Sequence, residues 1–363
     1  MFSVCKAAIQ IIHGGDIMNR STQPTMKDVA REAGVALGTV SRVFNGYPVG
    51  EEYRARVEAA AKKLNYRVNN YARGLKTNKT NCVALLMPSP RHPFFAALID
   101  ALTVCLMRRG YLTHLMITNF DPDAEEKAFT LVEQNKVDGI IALTYRPAVT
   151  ADPSIPIVSI DRQFNDRIPC VSSDNYHGGQ LAAEKLIELG CRRLLFLRIG
   201  PLIQSEADRR GPGFEEACRR TGVNYEMLLV NDDETEAPIY RFLDQHCHDG
   251  HFDFDGIFCN TDGLAKRVCT YLTGQRIRIP DELQVIGYDG IIDFATGRYV
   301  CSTIVQPVAQ MAEAAVDQLL SAEAGAPAAL CRLPVHYVPG GTTRDAAPTV
   351  GDPLAYDPFH SSE

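Results

Sequence analysis

The chain has 363 residues, long for a single core, and its 45% apolar and 22% charged residues are ordinary for a soluble globular protein. No apolar run approaches the roughly 20 residues that span a bilayer, so we expect no membrane-spanning segment. Eleven scattered Cys without a CxxC pair do not form a disulfide framework, and they indicate reduced thiols in the cytoplasm.

The net charge of −7 is unevenly distributed along the chain. Residues 25–81 carry eleven Lys and Arg against five Asp and Glu, whereas the remainder of the chain is strongly acidic. This asymmetry predicts that only the small basic segment meets a polyanion. Residues 1–24 show no pattern that a fold would need, and we expect an N-terminal extension that is disordered or untranslated, with Met18 competing with Met1 as the start.

Three short helices are predicted in the basic segment. Thr25 and Asp28 form a capping signature, with an acid near the positive end of the helix, and Gly34 permits a left-handed turn where that helix ends. A second helix over 37–44 and a third over 51–64 follow by their apolar spacing. Two short helices joined by a tight turn indicate a helix-turn-helix.

The stretches MKDVAREAGVALGTVSRVFNG and EEYRARVEAAAKKLNYRVNNYARGLK resemble the DNA-binding head and hinge of the LacI/GalR family of bacterial transcriptional regulators. The resemblance implies that helix 37–44 reads the major groove of double-stranded operator DNA, with Arg42 placed for a guanine edge. The head residues that it assigns to DNA are Thr25, Leu37, Gly38, Thr39, Ser41, Arg42 and Asn45. Leu37 and Gly38 depart from the long polar residues of many relatives, so direct readout by them is expected to be weak. Ala36 also replaces the Ser that often caps this helix.

In the following segment, 69–80, the stretch NNYARGLK is too short to be a stable helix in water, and it has a Gly within it. In the family, such a hinge folds only on operator DNA. The resemblance assigns Leu75 as the wedge between base steps, Asn69 and Arg73 as groove-facing polar groups, and Ala72 as the contact between two hinges. The alternative is a flexible basic linker.

From residue 82 onward, short apolar runs alternate with amphipathic segments. The runs are CVALLMP, YLTHLMI, GIIALT and PIVSI, then RLLFL, DGIFC and LQVIGY, with helices predicted over 94–109, 123–134, 175–189, 206–220 and 261–272. Alternating βα units predict parallel sheets, and two series of them predict two Rossmann-like lobes with a ligand cleft between them.

The core phrases SIDR, DNYHGGQLAAEKLIELG and IPDELQVIGYDG also resemble the family. The resemblance implies an all-α helix-turn-helix head followed by an α/β core of two Rossmann-like lobes, periplasmic-binding-protein-like and of type I. The predicted boundaries are a head over 25–68, a hinge over 69–80, a core over 81–344 and a disordered tail over 345–363. Within the core, lobe 1 takes about 81–173 and 306–331, and lobe 2 takes about 174–305 and 332–344.

Carboxylates, Arg and aromatic rings are the groups that hold sugars. The resemblance assigns effector binding to Ser89, Phe94, Asp161, Arg210, Asn260 and Asp289. Asp161 and Asp289 follow strands, where an Asp often only caps a turn. Phe94 competes with Phe95 for the pocket, and we expect one of the two rings to face the core. The resemblance also places Gln204 and Glu206 in a stretch that tunes ligand choice in the family.

Several alternatives remain at this point. The acidic run NDDETE at 231–236 and the absence of Trp leave a nucleobase or an amine beside a sugar or sugar phosphate as effector. The run from His246 to Asp253 is rich in metal-ligand residue types but follows no zinc spacing, and we expect neither a metal nor a cofactor.

No GxSxG, Walker loop, HExxH or Gly-rich dinucleotide turn is present, so an enzyme is not expected. A solute-binding protein would explain the core but not the head. The tail lacks the leucine heptads that join dimers into tetramers. The sequence therefore predicts a cytoplasmic, homodimeric repressor of carbohydrate-utilisation genes, with induction and corepression both open.

Overall fold

The structure, a computed structural model, describes residues 24–66, 79–144, 155–165, 167–200, 205–231, 236–321 and 329–345. The chain divides after residue 78 into two compact units, a head and a core, which are described separately. Several predictions lie outside the described residues: those on the extension before residue 24, on Asn69, Ala72, Arg73 and Leu75 of the hinge, on Gln204, and on the tail beyond residue 345.

The head consists of three helices, α1 Met26–Ala33, α2 Leu37–Phe44 and α3 Glu51–Lys63. The Asp28 carboxylate accepts hydrogen bonds from the backbone N–H of Thr25 at 2.9 Å and from its hydroxyl at 2.7 Å, which fixes the start of α1. Gly34 ends this helix in the left-handed conformation, with a φ of +62°. Ala36, the residue before α2, has no side-chain acceptor to offer the first turn.

A small apolar core holds the head together. Val29, Val40 and Val57, one from each helix, are fully buried at its centre. The Arg56 guanidinium donates to the Ala33 carbonyl at 2.7 and 3.1 Å, and so ties α3 to the turn between α1 and α2. The predicted helix-turn-helix head is confirmed.

The first lobe of the core contains one parallel sheet. Its strands are β1 Cys82–Met87, β2 Leu112–Ile117, β3 Gly139–Ala142, β4 Ile157–Ile160, β5 Cys170–Ser173 and β15 Leu330–Leu333, in the order β15-β5-β4-β3-β1-β2. Its helices are α4 Pro93–Arg108, α5 Pro122–Gln134 and α10 Val308–Leu320. The inner strands are apolar runs because helices cover both faces of such a sheet. The edge strand β2, predicted as a buried strand, is instead largely exposed, with Leu112 and Leu115 open to solvent.

The second lobe repeats this architecture. Its main sheet contains β6 Arg193–Gly200, β7 Asn224–Asn231, β10 Gly256–Cys259, β11 Gln284–Asp289, β14 Ser302–Val305 and β16 His336–Val338, in the order β16-β14-β11-β10-β6-β7. Only β16 is antiparallel to its neighbour. The helices are α6 Asn175–Glu188, α7 Arg210–Thr221, α8 Ala237–Gln245 and α9 Asp262–Gly274. Two small hairpins, β8 Cys247–His248 with β9 His251–Phe252 and β12 Ile292–Asp293 with β13 Arg298–Tyr299, complete the lobe. The predicted two-lobed α/β core is confirmed.

The chain crosses between the lobes three times, after β5, after β14 and after β15. Strand β15 ends at Leu333, which pairs with Ser173, close to the predicted lobe boundary at about 331. The structure differs from the predicted pattern of helices and strands in several places. One continuous helix over 206–220 is wrong, because Glu206–Arg209 forms a 3-10 turn and α7 begins at Arg210. The strands β5, β7, β14, β15 and β16 and the helices α8 and α10 have no counterpart in the predicted pattern. Strand β7 is an edge strand whose mixed polar and apolar residues are mostly half-buried.

Helices α6 and α7 pack with their backbones in contact. A methyl group placed on Gly179 of α6 would lie 2.0 Å from the carbonyl oxygen of Arg210, and one placed on Gly213 of α7 would lie 2.0 Å from that of Tyr176. No larger residue fits at either point without movement of a helix. The two glycines therefore allow α7 to lie directly against α6, with Arg210 beside the first turn of α6.

Candidate functional site

A cavity of about 850 Å³ lies between the two lobes, at the carboxyl ends of their parallel strands. Asp161 follows β4, Asn260 follows β10 and Asp289 ends β11, which is why residues far apart in sequence meet here. The residues that the sequence assigns to an effector all line this cavity: Ser89, Phe94, Asp161, Arg210, Asn260 and Asp289. That they bind a ligand stays a prediction.

Arg210 is buried at the start of α7, and three neighbours orient its guanidinium. Nε donates to Oδ1 of Asn175 at 2.7 Å, and Nη1 donates to the backbone carbonyl of Asn260 at 2.5 Å. The guanidinium carbon lies 3.6 Å from the centre of the Tyr288 ring, a cation–π contact. The charged group is thus held rigidly in the cavity wall before any ligand arrives.

Asp289 contributes a carboxylate whose two oxygens have different surroundings. Its backbone has a φ of +123°, unusual for a residue with a side chain. Oδ1 accepts a hydrogen bond from Nε2 of Gln306 at 2.7 Å and lies 3.9 Å from Nη1 of Arg210. Oδ2 is buried and has no hydrogen-bond partner in the described part of the chain. A buried oxygen without a donor is costly, so this atom is the natural acceptor for a donor on a ligand.

Asp161 provides a second carboxylate from the first lobe. Its φ is +56°, a left-handed conformation that turns the chain at the end of β4. Oδ1 accepts a hydrogen bond from the Ser172 hydroxyl at 2.7 Å, and the backbone carbonyl accepts one from the N–H of Glu206 at 2.7 Å. Burial raises the pKa of the Asp161 carboxyl above its ordinary value. Burial likewise raises the pKa of Asp289.

One wall of the cavity is aromatic. Both Phe94 and Phe95 line it, with ring centres 5.7 Å apart, and both also belong to the buried core of the first lobe. One of the two rings is expected to face the core, and both do, so the structure does not separate Phe94 from Phe95 as the cavity residue. His92, beside them, is neutral at pH 7, since burial lowers the pKa of its imidazole to about 4.

Further polar residues of the cavity wall escape the sequence reasoning. They are Arg91, His92, Asn119, Arg162, Arg198, Asp208, Arg267 and Gln306. Two of them could have been predicted from their positions in the sequence. Arg162 follows Asp161 within SIDR, and Gln306 comes directly after the strand β14, as Asn260 comes after β10. Glu206, which the resemblance places in the stretch that tunes ligand choice, is not among the residues that line this cavity. Its carboxylate forms an ion pair with Arg332 of β15 at 2.9 Å.

On the head, α2 presents one face to the apolar core and the other to solvent. Val40 and Val43 are buried, whereas Leu37, Gly38, Arg42 and Asn45 are exposed. Two further residues with a predicted DNA role, Thr39 and Ser41, are half-buried, and Thr25 is exposed ahead of α1. Nδ2 of Asn45 donates to the Ser41 carbonyl at 2.8 Å and closes the end of the helix.

The His, Cys, Asp and Glu side chains elsewhere in the described ranges do not form a second site of this kind. His246 pairs with Asp253 at 2.8 Å beside the β8–β9 hairpin, but no three His, Cys, Asp or Glu side chains in the described ranges converge as metal ligands. The ten cysteines among these residues are free thiols. None of the described helices combines the length and apolar character needed to cross a bilayer.

Comparisons with known proteins give the same division of the chain. Residues 25–69 match the model of the bacterial regulatory proteins of the lacI family, and residues 80–329 match that of the periplasmic binding proteins and sugar binding domain of the LacI family. The sucrose operon repressor of Streptococcus mutans is 33% identical over 300 residues, which cover 81% of this chain and 91% of that protein. The ribose operon repressor of Halalkalibacterium halodurans is 34% identical over 273 residues, which cover 74% and 80%.

A crystal structure of the Lac repressor dimer bound to operator and an anti-inducer shares the fold, with a TM-score of 0.76 at 23% identity over 89% of this chain and 99% of that one. The family matches and the curated relatives are regulators, and the prediction that the chain is not an enzyme rests on them. The chain belongs to the LacI family of bacterial transcriptional regulators, with a DNA-binding helix-turn-helix head and a sugar-binding-type core in one polypeptide.

Proposed function

We propose that this protein is a homodimeric repressor of carbohydrate-utilisation genes, and that a sugar in the cavity between its lobes controls its affinity for operator DNA. One observation carries the proposal: Asp161 of the first lobe and Arg210, Asn260 and Asp289 of the second surround one cavity. A ligand that contacts all four fixes the lobes relative to each other. The relatives named for sucrose and ribose operons support a carbohydrate.

The chemistry of the cavity favours a polyhydroxylated ligand. A sugar hydroxyl can donate to Oδ2 of Asp289, which accepts no hydrogen bond from the described residues and has Nε2 of His92 3.9 Å away, and accept from the Arg210 guanidinium. Phe94 and Phe95 offer rings to the apolar face of a sugar. An amine or a nucleobase could satisfy the carboxylates but would use fewer of the remaining donors, so we rank these effectors second.

Exposed residues of α2 support DNA binding by the head. Arg42 is exposed at the end of a helix slim enough for the major groove, and the buried Val40 and Val43 fix its direction. We assign base contact to Arg42, and backbone contacts to Thr39, Ser41 and Asn45. Leu75 of the hinge remains our candidate for the wedge between base steps. A regulator of this kind acts where the chromosome lies, in the bacterial cytoplasm.

The edge of the first lobe supports a dimer. Strand β2 pairs only with β1, and its first residue, Leu112, is 65% exposed. Leu115 on the same strand and Met107 at the end of α4 are 45% and 60% exposed. An exposed edge strand with large apolar side chains is an unusual surface for a monomer. We assign this edge to contact with a second copy of the chain.

The test is the affinity of the full-length protein for operator DNA, measured by fluorescence anisotropy with and without D-ribose or sucrose. We expect a palindromic site of about 14–20 base pairs, tight and salt-dependent binding, and a change of about 5- to 150-fold with the effective sugar. Arg210→Ala should bind operator as the wild type does but lose the response. Arg278→Ala, which removes an exposed ion pair with Glu282, is the matched control and should keep it.

Other outcomes decide between the remaining alternatives. Tighter operator binding with sugar would make the effector a corepressor. A response to purines or amines but not to sugars would replace the proposed effector class. Binding that is indifferent to salt concentration, or equal on operator and random DNA, would contradict the assigned role of the head.

A further inference from the structure

The first crossing between the lobes contains a buried amide that the cavity itself does not reach. Asn175 is the first residue of α6 and is 1% exposed. Its Nδ2 donates to the Ser172 hydroxyl and to the Ser173 carbonyl, both at 3.0 Å, and its Oδ1 accepts from Nε of Arg210 at 2.7 Å. The donor end of the amide thus faces the first lobe and the acceptor end faces the second.

These bonds continue into the cavity on both sides. The Ser172 hydroxyl, which accepts from Asn175, donates to Oδ1 of Asp161 at 2.7 Å. One chain of hydrogen bonds therefore joins a cavity carboxylate of the first lobe to the cavity guanidinium of the second, through Ser172 and Asn175. Every member is at most 8% exposed, so water does not replace these partners when one is removed.

A second chain runs beside the first at the next crossing. The Ser173 hydroxyl donates to Oε1 of Gln306 at 2.5 Å, and Nε2 of Gln306 donates to Oδ1 of Asp289 at 2.7 Å. Both chains start from consecutive residues at the end of β5. Rotation of one lobe against the other at this point must move the charged groups of the cavity relative to each other.

We propose that Asn175 is a positioning residue for Arg210. Through its bond to Ser172 it also couples the orientation of the two lobes to the geometry of the effector site, so that neither changes without the other. The proposal rests on the effector site proposed above. The coupling also explains how a ligand acts on the lobes without contacting the crossing. A ligand that draws Arg210 and Asp161 together changes the lengths of the hydrogen bonds of Ser172 and Asn175, which lie between them. An Asn that only filled the first position of α6, after the Asp174 cap, would have no such effect on Arg210.

The test uses the full-length protein and Asn175→Ala, with Gln284→Ala as the matched control. Gln284 is also a fully buried amide of the second lobe, and it bonds to the Leu189 carbonyl, the Cys191 thiol and the Arg344 N–H away from the cavity. We expect both variants to lose stability in denaturant unfolding. Only Asn175→Ala should lose affinity for D-ribose or sucrose in calorimetry, by about 10- to 100-fold, the effect of losing a hydrogen bond to a charged group.

Ser172→Ala is a smaller change and serves if Asn175→Ala does not fold. It leaves the Asn175–Arg210 bond intact but removes the donor to Asp161, so we expect effector affinity to fall while Arg210 stays in place. Sugar affinity of wild-type strength in Asn175→Ala, or in Ser172→Ala where it alone folds, would overturn the proposal. Equal losses of affinity in Asn175→Ala and Gln284→Ala would do the same.

A crystal structure of the ligand-free variant separates this inference from the proposed function. Displacement of the Arg210 guanidinium from the Asn260 carbonyl in Asn175→Ala supports the positioning role even if no sugar binds the wild type. An Arg210 that keeps its place would show that Asn175 does not position it. If only Ser172→Ala is obtained, its crystal structure tests the other half of the proposal. An Asp161 side chain that stays in place would show that these hydrogen bonds do not fix Asp161 of the first lobe.

Discussion

Substitution of Gly179 by Ala tests the link between helix packing and the cavity. The added methyl carbon would lie 2.0 Å from the Arg210 carbonyl oxygen, whereas carbon–oxygen contacts are ordinarily about 3.3 Å or longer. Helix α7 must therefore retreat by more than about 1 Å. Overpacking of this kind costs about 1–3 kcal/mol. The same movement stretches the bonds of Arg210 to Asn175 and Asn260, each worth about 1.5–3 kcal/mol when the donor is charged.

We therefore expect Gly179→Ala to destabilise the core by about 3 kcal/mol and to weaken the response to effector, while the head still binds operator. Urea unfolding followed by circular dichroism measures the first effect, because the chain has no Trp for fluorescence. Gly274→Ala is the control: nothing lies within 4 Å of its added methyl group, and Ala should stabilise the end of α9 by up to about 1 kcal/mol. An unchanged urea midpoint for Gly179→Ala would refute the contact between α6 and α7.

Three further predictions concern other parts of the molecule. Ala36→Ser should give α2 its missing cap and stabilise the head by about 0.5–2 kcal/mol in thermal unfolding, and no gain would mean that the first turn already has partners. Asp262 lies fully buried near Asp289, and burial raises the pKa of both carboxyls, so the folded protein retains protons that the unfolded chain releases. The free energy of unfolding should therefore fall as pH rises from about 4 toward neutrality, and Asp262→Asn should flatten this dependence; an unchanged slope in urea titrations across pH would contradict the assignment. Arg42→Ala should weaken operator binding by about 1–3 kcal/mol and random-sequence binding much less, and equal losses in anisotropy titrations would reduce Arg42 to a phosphate contact.

Residues at the ends of parallel strands could be predicted from the sequence, whereas the residues that hold them could not. Asp161, Asn260 and Asp289 each follow an apolar run, and the ends of such runs meet at one edge of a sheet. Asn175 gives no comparable signal. Its partner Arg210 is 35 residues away, and in the sequence Asn175 is only a polar residue at the start of a helix, directly after the Asp174 cap.

The start of α7 shows a second limit of pattern reasoning. The periodicity over 206–220 is helical throughout, yet the chain forms a 3-10 turn up to Arg209, and the α-helix begins at Arg210. Two features at this boundary come from other parts of the chain: the close approach of Gly213 to the Tyr176 carbonyl, and the bonds of the Arg210 side chain. These are tertiary constraints, to which local propensity is blind.

The sheet order has a consequence for synthesis on the ribosome. Strand β15 completes the sheet of the first lobe and β16 that of the second, and both lie beyond residue 329, whereas all three helices of the head end by residue 63. During translation the head can fold while both lobes still lack a strand. A chain cut short before β15 would contain the complete head beside two lobes whose sheets each lack a strand. On the function proposed above, such a fragment would keep the helix that reads DNA while the core that regulates it is unfinished.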